Sequence, residues 1–482
     1  MREEQLRKLM GETMTEYRLP SLSISMMAKG EELHLALGKA NLEADIPATP
    51  DSIYCIASST KSITATAVNL LFSEKDLSID EPINRFLTWF RMYDDYTTKN
   101  LTVRDVLCHR CGLPRHELSW YNTPEKSTRQ LTESLAFLPP AFPLRYRMCY
   151  QNHMYILATT LIEEVSGNVW GDYVKNKIFQ PLDMRSTFIY GDEIEDGNRM
   201  KCRPYNLVNG QNVLLPYRYT KSVGGGGTVY STSRDMLKWL HFNLKGDDAI
   251  LKRELIEEHH TPHTIVRKGD MGSIHFPEMD FTSYGLGWFI ESYRGIKVIH
   301  HGGTIDGFKS MQMFLPDHDI CISALSNQNN TQAVCSVAYK IIDASLGMET
   351  TDWDKKYQET YINMVDACRN KVGEALSKIN VVQWNDFNKY IGIYSHPAYG
   401  ELYVHRVKDT LMIDAFGETF PVISTSDMDF IFEGGNLGIF AEGKAIMEGT
   451  GQVNALNVKL EDMLPETYFR FERNPTGDLQ HE

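Results

Sequence analysis

The chain has 482 residues, 42% hydrophobic and 23% charged, a balance that fits a soluble globular protein and excludes disordered, collagenous and coiled-coil classes. Acidic residues outnumber basic ones 63 to 49, and the resulting charge of −14 argues against a general nucleic-acid binder, which needs a basic face. No run reaches the ~18 apolar residues that span a bilayer, so no membrane partner is expected.

Residues Met1 to Met10 mix charges and lack the apolar core of a secretory signal, which predicts a cytoplasmic location. The cysteines at 55, 108, 111, 149, 202, 321, 335 and 368 are too sparse for a disulfide scaffold and are expected to be reduced thiols. A removed presequence would reverse that expectation.

In chain order, Leu6, Leu9, Met10, Thr13, Met14 and Tyr17 repeat at helical spacing and predict a helix over 3–17, ended by Pro20. Leu22, Ile24 and Met26 alternate with Ser21, Ser23 and Ser25 as in a half-buried strand. Lys29-Gly30-Glu31 then turns the chain into a second alternation at Leu33, Leu35 and Leu37. Residues 58–73 are helix-compatible. Further helices are predicted at 102–108, 127–137, 151–166, 169–178 and 233–244, the last capped by Thr232 with Asp235. Strands return at 287–292, 297–301, 310–315 and 320–326, and a helix follows over 331–345. One sheet built from both ends of this unit, with a helical insert, is expected.

Residues 352–378 are charged and helical. Beyond Trp384, short runs at 400–407, 410–415, 419–424, 428–432, 437–441, 444–449, 453–460 and 467–472 predict a small antiparallel barrel. The expected organisation is a first domain over 1–350, a helical connector over 351–384 and a barrel domain over 385–475. The fold class is α+β.

Three fragments carry chemistry. Ser58-Ser59-Thr60-Lys61 is an S-x-x-K; on a helix, Lys61 lies one turn from Ser58 and can hold or accept its proton in acyl transfer. The alternative is a capped helix with a solvent-facing lysine. Tyr150-Gln151-Asn152 is a Y-x-N, and a tyrosine serves as a base only beside positive charge, which Lys61 would supply. A second Y-x-N at Tyr361-Ile362-Asn363 falls in the charged connector. His301-Gly302-Gly303-Thr304 follows a strand-like run, where glycines permit close approach to a ligand; a plain glycine turn is the alternative.

In this order the fragments resemble those of the penicillin-recognising serine enzymes, in particular the class C β-lactamase-like group of D-aminopeptidases, D-alanyl carboxypeptidases and serine esterases. Leu101-Thr102-Val103-Arg104-Asp105-Val106-Leu107-Cys108-His109-Arg110-Cys111-Gly112-Leu113-Pro114 is similar to that family's loop. Pro181 to Met184, Gly225 to Thr228, Ser231 to Met236 and Tyr284 to Trp288 fit as well, over about residues 5–346. The segment from Tyr390 through Gly400 resembles a lipocalin-like barrel appended to some relatives.

The resemblance implies an antiparallel sheet flanked by helices, with a helical subdomain, and a metal-free serine hydrolase without cofactor. Ser58 would be the acylated nucleophile, Lys61 its proton partner, Tyr150 the base or relay, and Asn152 a substrate-positioning amide. His301 would stand where the family has a lysine, preceding Gly303 and Thr304. His300 offers a second register. The oxyanion hole would be the backbone N–H groups of Ser58 and Thr304. A histidine is only partly charged at neutral pH, which predicts a pH-dependent KM and favours peptidase, amidase or esterase work on a small-molecule or short-peptide substrate. A transacylase or weak β-lactamase using the same residues, and a scaffold without turnover, are the alternatives. The barrel would cap the cleft or join subunits, which leaves a homo-oligomer open.

Other clusters read as structural: Cys108-His109-Arg110-Cys111 as structural thiols, His259-His260 with His263 as a solvent-exposed loop, and Gly224 to Gly227 as backbone passing near the site. Asp183 and Asp306 are assigned no catalytic role.

Overall fold

Strand pairing brings the two ends of the first 346 residues together. In the computed structural model the chain runs α1 (Glu3–Tyr17), β1 (Ser21–Ala28), β2 (Glu31–Asn41), β3 (Ile46–Pro47), α2 (Thr60–Glu74), α3 (His153–Ser166) and α4 (Ser233–Lys245). It continues through β4 (Thr264–Val266), β5 (Met279–Tyr284), β6 (Phe289–Tyr293), β7 (Ile296–Ile305), β8 (Phe308–Leu315), β9 (Ile320–Ser326), α5 (Ala333–Leu346) and α6 (Trp353–Ser377), with shorter helices and hairpins between. The structure describes residues 1–475 apart from 122, 124–125, 196–199, 219–220, 271–275, 378–379, 383, 385, 435–437 and 450, and apart from the side chains of 368, 371 and 375. Cys368 and residue 437 of an expected strand therefore lie outside it.

Among the described residues the sheet order is β3-β2-β1-β9-β8-β7-β6-β5-β4, antiparallel throughout. β1 pairs with β9 from Leu22↔Ser326 to Ala28↔Ile320, so the N-terminal hairpin lies beside the last strand, in line with the expectation of one sheet built from both ends. Leu22, Ile24 and Met26 face α1 and α5, where Leu6, Met10, Val337 and Ile341 complete a core. The strand is buried on both faces, not one. Ser23 and Ser25 each meet the Ser233 hydroxyl at 2.9 Å, and α4 covers the side expected to face water. β5 and the edge strand β4 precede the first strand expected in this part of the chain.

Helix α2 is buried around its whole circumference from Thr60 to Phe72, because it lies in the interior with α3 packed against it. Connector helix α6 is fixed at its start. Trp353 donates to Asp343 at 2.9 Å, and Asp354 accepts from Thr13 and Ser336 and pairs with Lys340.

The barrel strands are β10 (Gly392–His396), β11 (Gly400–Val407), β12 (Thr410–Ala415), β13 (Glu418–Ser424), β14 (Asp429–Gly434), β15 (Ile439–Met447), β16 (Val453–Val458) and β17 (Phe469–Arg473). They close through Tyr394↔Arg473. The runs expected as two strands at 437–441 and 444–449 contribute to the single strand Ile439–Met447, and Gly392–His396 is a strand the run pattern did not show. Glu442-Gly443 reads as a turn. In fact Gly443 is glycine because a Cβ would sit 2.2 Å from the Phe430 ring, which fills the barrel. A void of about 10 Å³ beside Trp384, Tyr390 and Phe430 shows an interior filled by side chains, smaller than the space of one ordered ligand. Among the described residues no helix is long and apolar enough to cross a membrane.

Candidate active site

The turn before α2 is under backbone strain. Ala57 has φ 47, a conformation that L-residues with a Cβ avoid, and Ser58 follows at once in a 3-10 turn leading into α2. Polar contacts to the sheet hold it: Ser59 Oγ donates to the His301 carbonyl at 3.1 Å and Ser310 Oγ to the Ile56 carbonyl at 2.7 Å. Gly303 in β7 makes this approach sterically feasible. A Cβ there would lie 2.0 Å from the Ile56 carbonyl oxygen and 2.9 Å from the Ser58 nitrogen.

Lys61, one turn on from Ser58 at the start of α2, is fully buried. Its Nζ donates to Ser58 Oγ at 3.1 Å, to Asn152 Oδ1 at 2.7 Å and to the Gly226 carbonyl at 2.6 Å. The solvent-facing alternative is therefore excluded. Burial first, and the nearby Arg115 charge second, pull its proton affinity well below the ordinary lysine range. The four-glycine run delivers the carbonyl. Gly225 is wedged against Thr64 and Thr159, accepting from the first at 3.0 Å and donating to the second at 2.7 Å.

Asn152 occupies the N-cap position of α3 but turns its side chain to Lys61, not to the helix, and Tyr150 stands just before it with its ring centroid 4.9 Å from Lys61 Nζ. Burial raises the Tyr150 phenol above its ordinary range, while the Ser58 hydroxyl and Arg115 draw it back.

His301 departs from expectation. Its Nδ1 meets the Gly302 carbonyl at 2.7 Å, so that nitrogen carries the proton, and its Nε2 accepts from the Tyr284 hydroxyl at 3.1 Å. Burial, with Lys61 nearby, pulls its pKa down to about 3. It is a neutral wall residue near pH 7, not a partly charged one. KM for a carboxylate-bearing substrate is therefore expected to stay flat from about pH 5 to 8. An inflection near pH 6.5 that disappears in His301→Asn would contradict this.

Ser58, Tyr150, Asn152, His301 and Thr304 line one cleft of about 510 Å³, with Lys61 beneath Ser58 and Gly303 behind it. His300 also lines it, stacked on Phe289. Sequence reasoning missed Arg115, Glu117, Trp120, Tyr121, Phe289 and Lys309, which also line it. Asp306, set aside earlier, also lines the cleft: it accepts from Tyr121 at 2.9 Å and from Arg218 Nε at 2.9 Å. Arg115 directly follows Gly112-Leu113-Pro114, and that position was the available signal.

Asp183 stays at the surface with Arg185 and Lys238. Cys108 and Cys111 are buried free thiols, as are the other five described cysteines. The histidine cluster is not an exposed loop. His259 and His260 are buried, the first bonded to Asn69 and the second packed on Trp288 and Phe314. Among the described residues no group of three or more potential ligands is arranged to hold a metal.

Relatives agree with this architecture. An unguisins hydrolase of Aspergillus campestris is 26% identical over 410 residues, covering 81% of this chain and 75% of that protein. The octameric penicillin-binding protein homologue from Pyrococcus abyssi superposes with a TM-score of 0.64 at 22% identity, covering 98% of this chain and 100% of that one. D-amino acid amidase from Ochrobactrum anthropi SV3 gives 0.58 at 23% identity, over 71% of this chain and 98% of its own. The beta-lactamase family model matches residues 6–346, more than half of the sequence, and the chain belongs to that family.

Proposed function

We propose that this protein is a serine hydrolase working through an acyl-enzyme on Ser58, with small peptide or amide substrates favoured and esters accepted. The observation that carries the reading is Lys61 Nζ, buried and bonded at once to Ser58 Oγ, Asn152 Oδ1 and the Gly226 carbonyl. In the reaction Ser58 Oγ attacks the substrate carbonyl carbon. Lys61, with Tyr150, takes the hydroxyl proton, and the Ser58 and Thr304 backbone N–H groups receive the developing oxyanion. The proton passes to the leaving amine or alcohol, and water entering by the same route releases the acid. Asn152 positions the substrate amide.

The cleft favours partly apolar substrates. Trp120, Tyr121 and Phe289 supply apolar surface, and its carboxylates are already matched, Glu117 by Arg115 and Asp306 by Arg218. With His301 neutral, β7 itself offers no cation for a substrate carboxylate; the cations lining the cleft are Arg115, paired with Glu117, and Lys309 of β8, whose Nζ donates to Thr304 Oγ1 at 2.7 Å. That relatives include a named hydrolase and a named amidase supports the amide reading.

Intact mass after exposure to a fluorophosphonate tests it. One adduct is expected on the wild type and none on Ser58→Ala. A folded wild type that takes no adduct, or a Ser58→Ala variant that still takes one, would sink the proposal.

A further inference from the structure

The loop that follows Pro114 lies between the cleft and the barrel. Arg115 places its guanidinium carbon 5.6 Å from the Tyr150 ring centroid, and its Nε and Nη2 donate to the Glu117 carboxylate at 3.0 and 2.8 Å. The next residue, His116, is held in the left-handed region with φ 43 and ψ 44. A histidine does not adopt that conformation without cost, so the surroundings must impose it.

Those surroundings come largely from the barrel. His116 is fully buried. Its Nε2 donates to the Pro139 carbonyl at 3.0 Å, so its Nδ1 accepts from the Tyr399 hydroxyl at 2.8 Å. Its backbone N–H donates to the Glu461 carboxylate at 2.7 Å. Phe469 of β17 meets the ring edge-on at 5.8 Å. Tyr399 sits in the β10–β11 hairpin and Glu461 just beyond β16, so separate parts of the barrel converge on one residue.

We propose that the barrel completes the active site: Tyr399 and Glu461 clamp His116 and so hold Arg115 near Tyr150, where the guanidinium is the second cation favouring proton loss from the Ser58–Lys61–Tyr150 cluster. This rests on the acyl-enzyme reading above. Arg115 and His116 are positioning residues; neither exchanges a proton with substrate.

The charge balance around Tyr150 supports the assignment. Lys61 faces it from α2, Arg115 and Glu117 from this loop, His109 at 4.3 Å, Tyr155 of α3 close by, Tyr284 and Phe289 from β5 and β6, and His301 from β7. Burial keeps His109 and His301 neutral and the Tyr155 and Tyr284 phenols protonated. The remaining charges are Lys61 and the Arg115–Glu117 pair, and Glu461 faces Arg115 from the barrel side. Arg115 outweighs Glu117 at both Tyr150 and Lys61. Its sign is the same at each: it favours the phenolate and the neutral amine.

The test is the rate of Ser58 labelling by a fluorophosphonate as a function of pH, followed by intact mass. Ser58 reacts when the cluster has lost a proton, so removing a cation moves the acid limb to higher pH. Arg115→Gln is expected to move it up by about one unit, with labelling on the limb about tenfold slower. Arg115→Lys should recover part of the loss, and Glu117→Gln should shift the limb the other way. Tyr399→Phe and Glu461→Ala should move it in the Arg115→Gln direction by less. An unlabelled wild type would overturn the acyl-enzyme reading itself. A labelled wild type with an unchanged Arg115→Gln limb would overturn the role of Arg115 alone. Folded Tyr399→Phe and Glu461→Ala proteins with wild-type limbs would overturn the clamp. Tyr399→Phe removes one oxygen only, and circular dichroism with thermal melting checks that the variants are folded.

Discussion

Replacing Lys61 with methionine is expected to reduce kcat/KM for any acyl substrate by about a thousandfold, the scale of losing positioned proton transfer. Methionine nearly matches the lysine stem in volume, so packing between α2, α3 and the glycine run is preserved. What disappears is the one nitrogen that touches Ser58 Oγ, Asn152 Oδ1 and the Gly226 carbonyl together. Leaving the Asn152 Oδ1 and Gly226 carbonyl oxygens without this donor costs about 1–3 kcal/mol each. Relief of the penalty for burying an amine offsets part of that cost. The variant should therefore fold, with a modest change in Tm by circular dichroism, while fluorophosphonate labelling of Ser58 falls in step with turnover. Lys61→Arg should not rescue it, because a guanidinium cannot give up its proton and its planar fork does not suit three acceptors arranged around a point charge. Turnover within tenfold of wild type in folded Lys61→Met would mean that Ser58 is activated by something else, and Tyr150 would be the remaining candidate.

Much of this arrangement was legible because helix geometry is rigid. Ser58 lies in the 3-10 turn that runs into α2, where three residues make about one turn, so the S-x-x-K spacing puts Lys61 within reach of the hydroxyl, as the 3.1 Å contact shows. The β1–β2 hairpin was equally readable, since period-2 alternation on both sides of Lys29-Gly30 admits one register. Features that failed to show are those decided by tertiary neighbours. Ser23 and Ser25 look solvent-facing, but their hydroxyls find Ser233 on α4, and no local pattern records that partner. His259 and His260 look like a polar loop, yet burial and single hydrogen bonds make them neutral core residues. Gly443 looks like a turn because glycine's usual use is positive φ. Here it serves by lacking a Cβ where the Phe430 ring enters. The cleft walls at Arg115, Glu117 and Asp306 come from chain segments far apart in sequence. Their charges are balanced by local or long-range partners that only the folded chain brings into place.

Gly303→Ala should abolish most activity while its neighbour Gly302→Ala does not. Both glycines lie on β7 and look equivalent in the motif, but their surroundings differ. At Gly302 an added Cβ would meet the Ser310 carbonyl oxygen at 3.3 Å and Met311 Cε at 3.5 Å, which a few tenths of an ångström of adjustment relieves. At Gly303 it would meet the Ile56 carbonyl at 2.0 Å and the Ser58 nitrogen at 2.9 Å, both rigid backbone. The strand and the nucleophile turn must then separate by about 1 Å, and a displacement of that size at a reacting group costs about a hundredfold. Moving the turn also strains the Ser59–His301 and Ser310–Ile56 hydrogen bonds that hold Ala57 in its left-handed conformation. The expected outcome is labelling of Ser58 about a hundredfold slower in Gly303→Ala, and within about fivefold of wild type in Gly302→Ala. Equal rates in the two variants would show that the contact between β7 and the serine turn does not set the geometry of the nucleophile. The oxyanion site proposed between the Ser58 and Thr304 N–H groups would fall with it, because Gly303 fixes the spacing of those two donors.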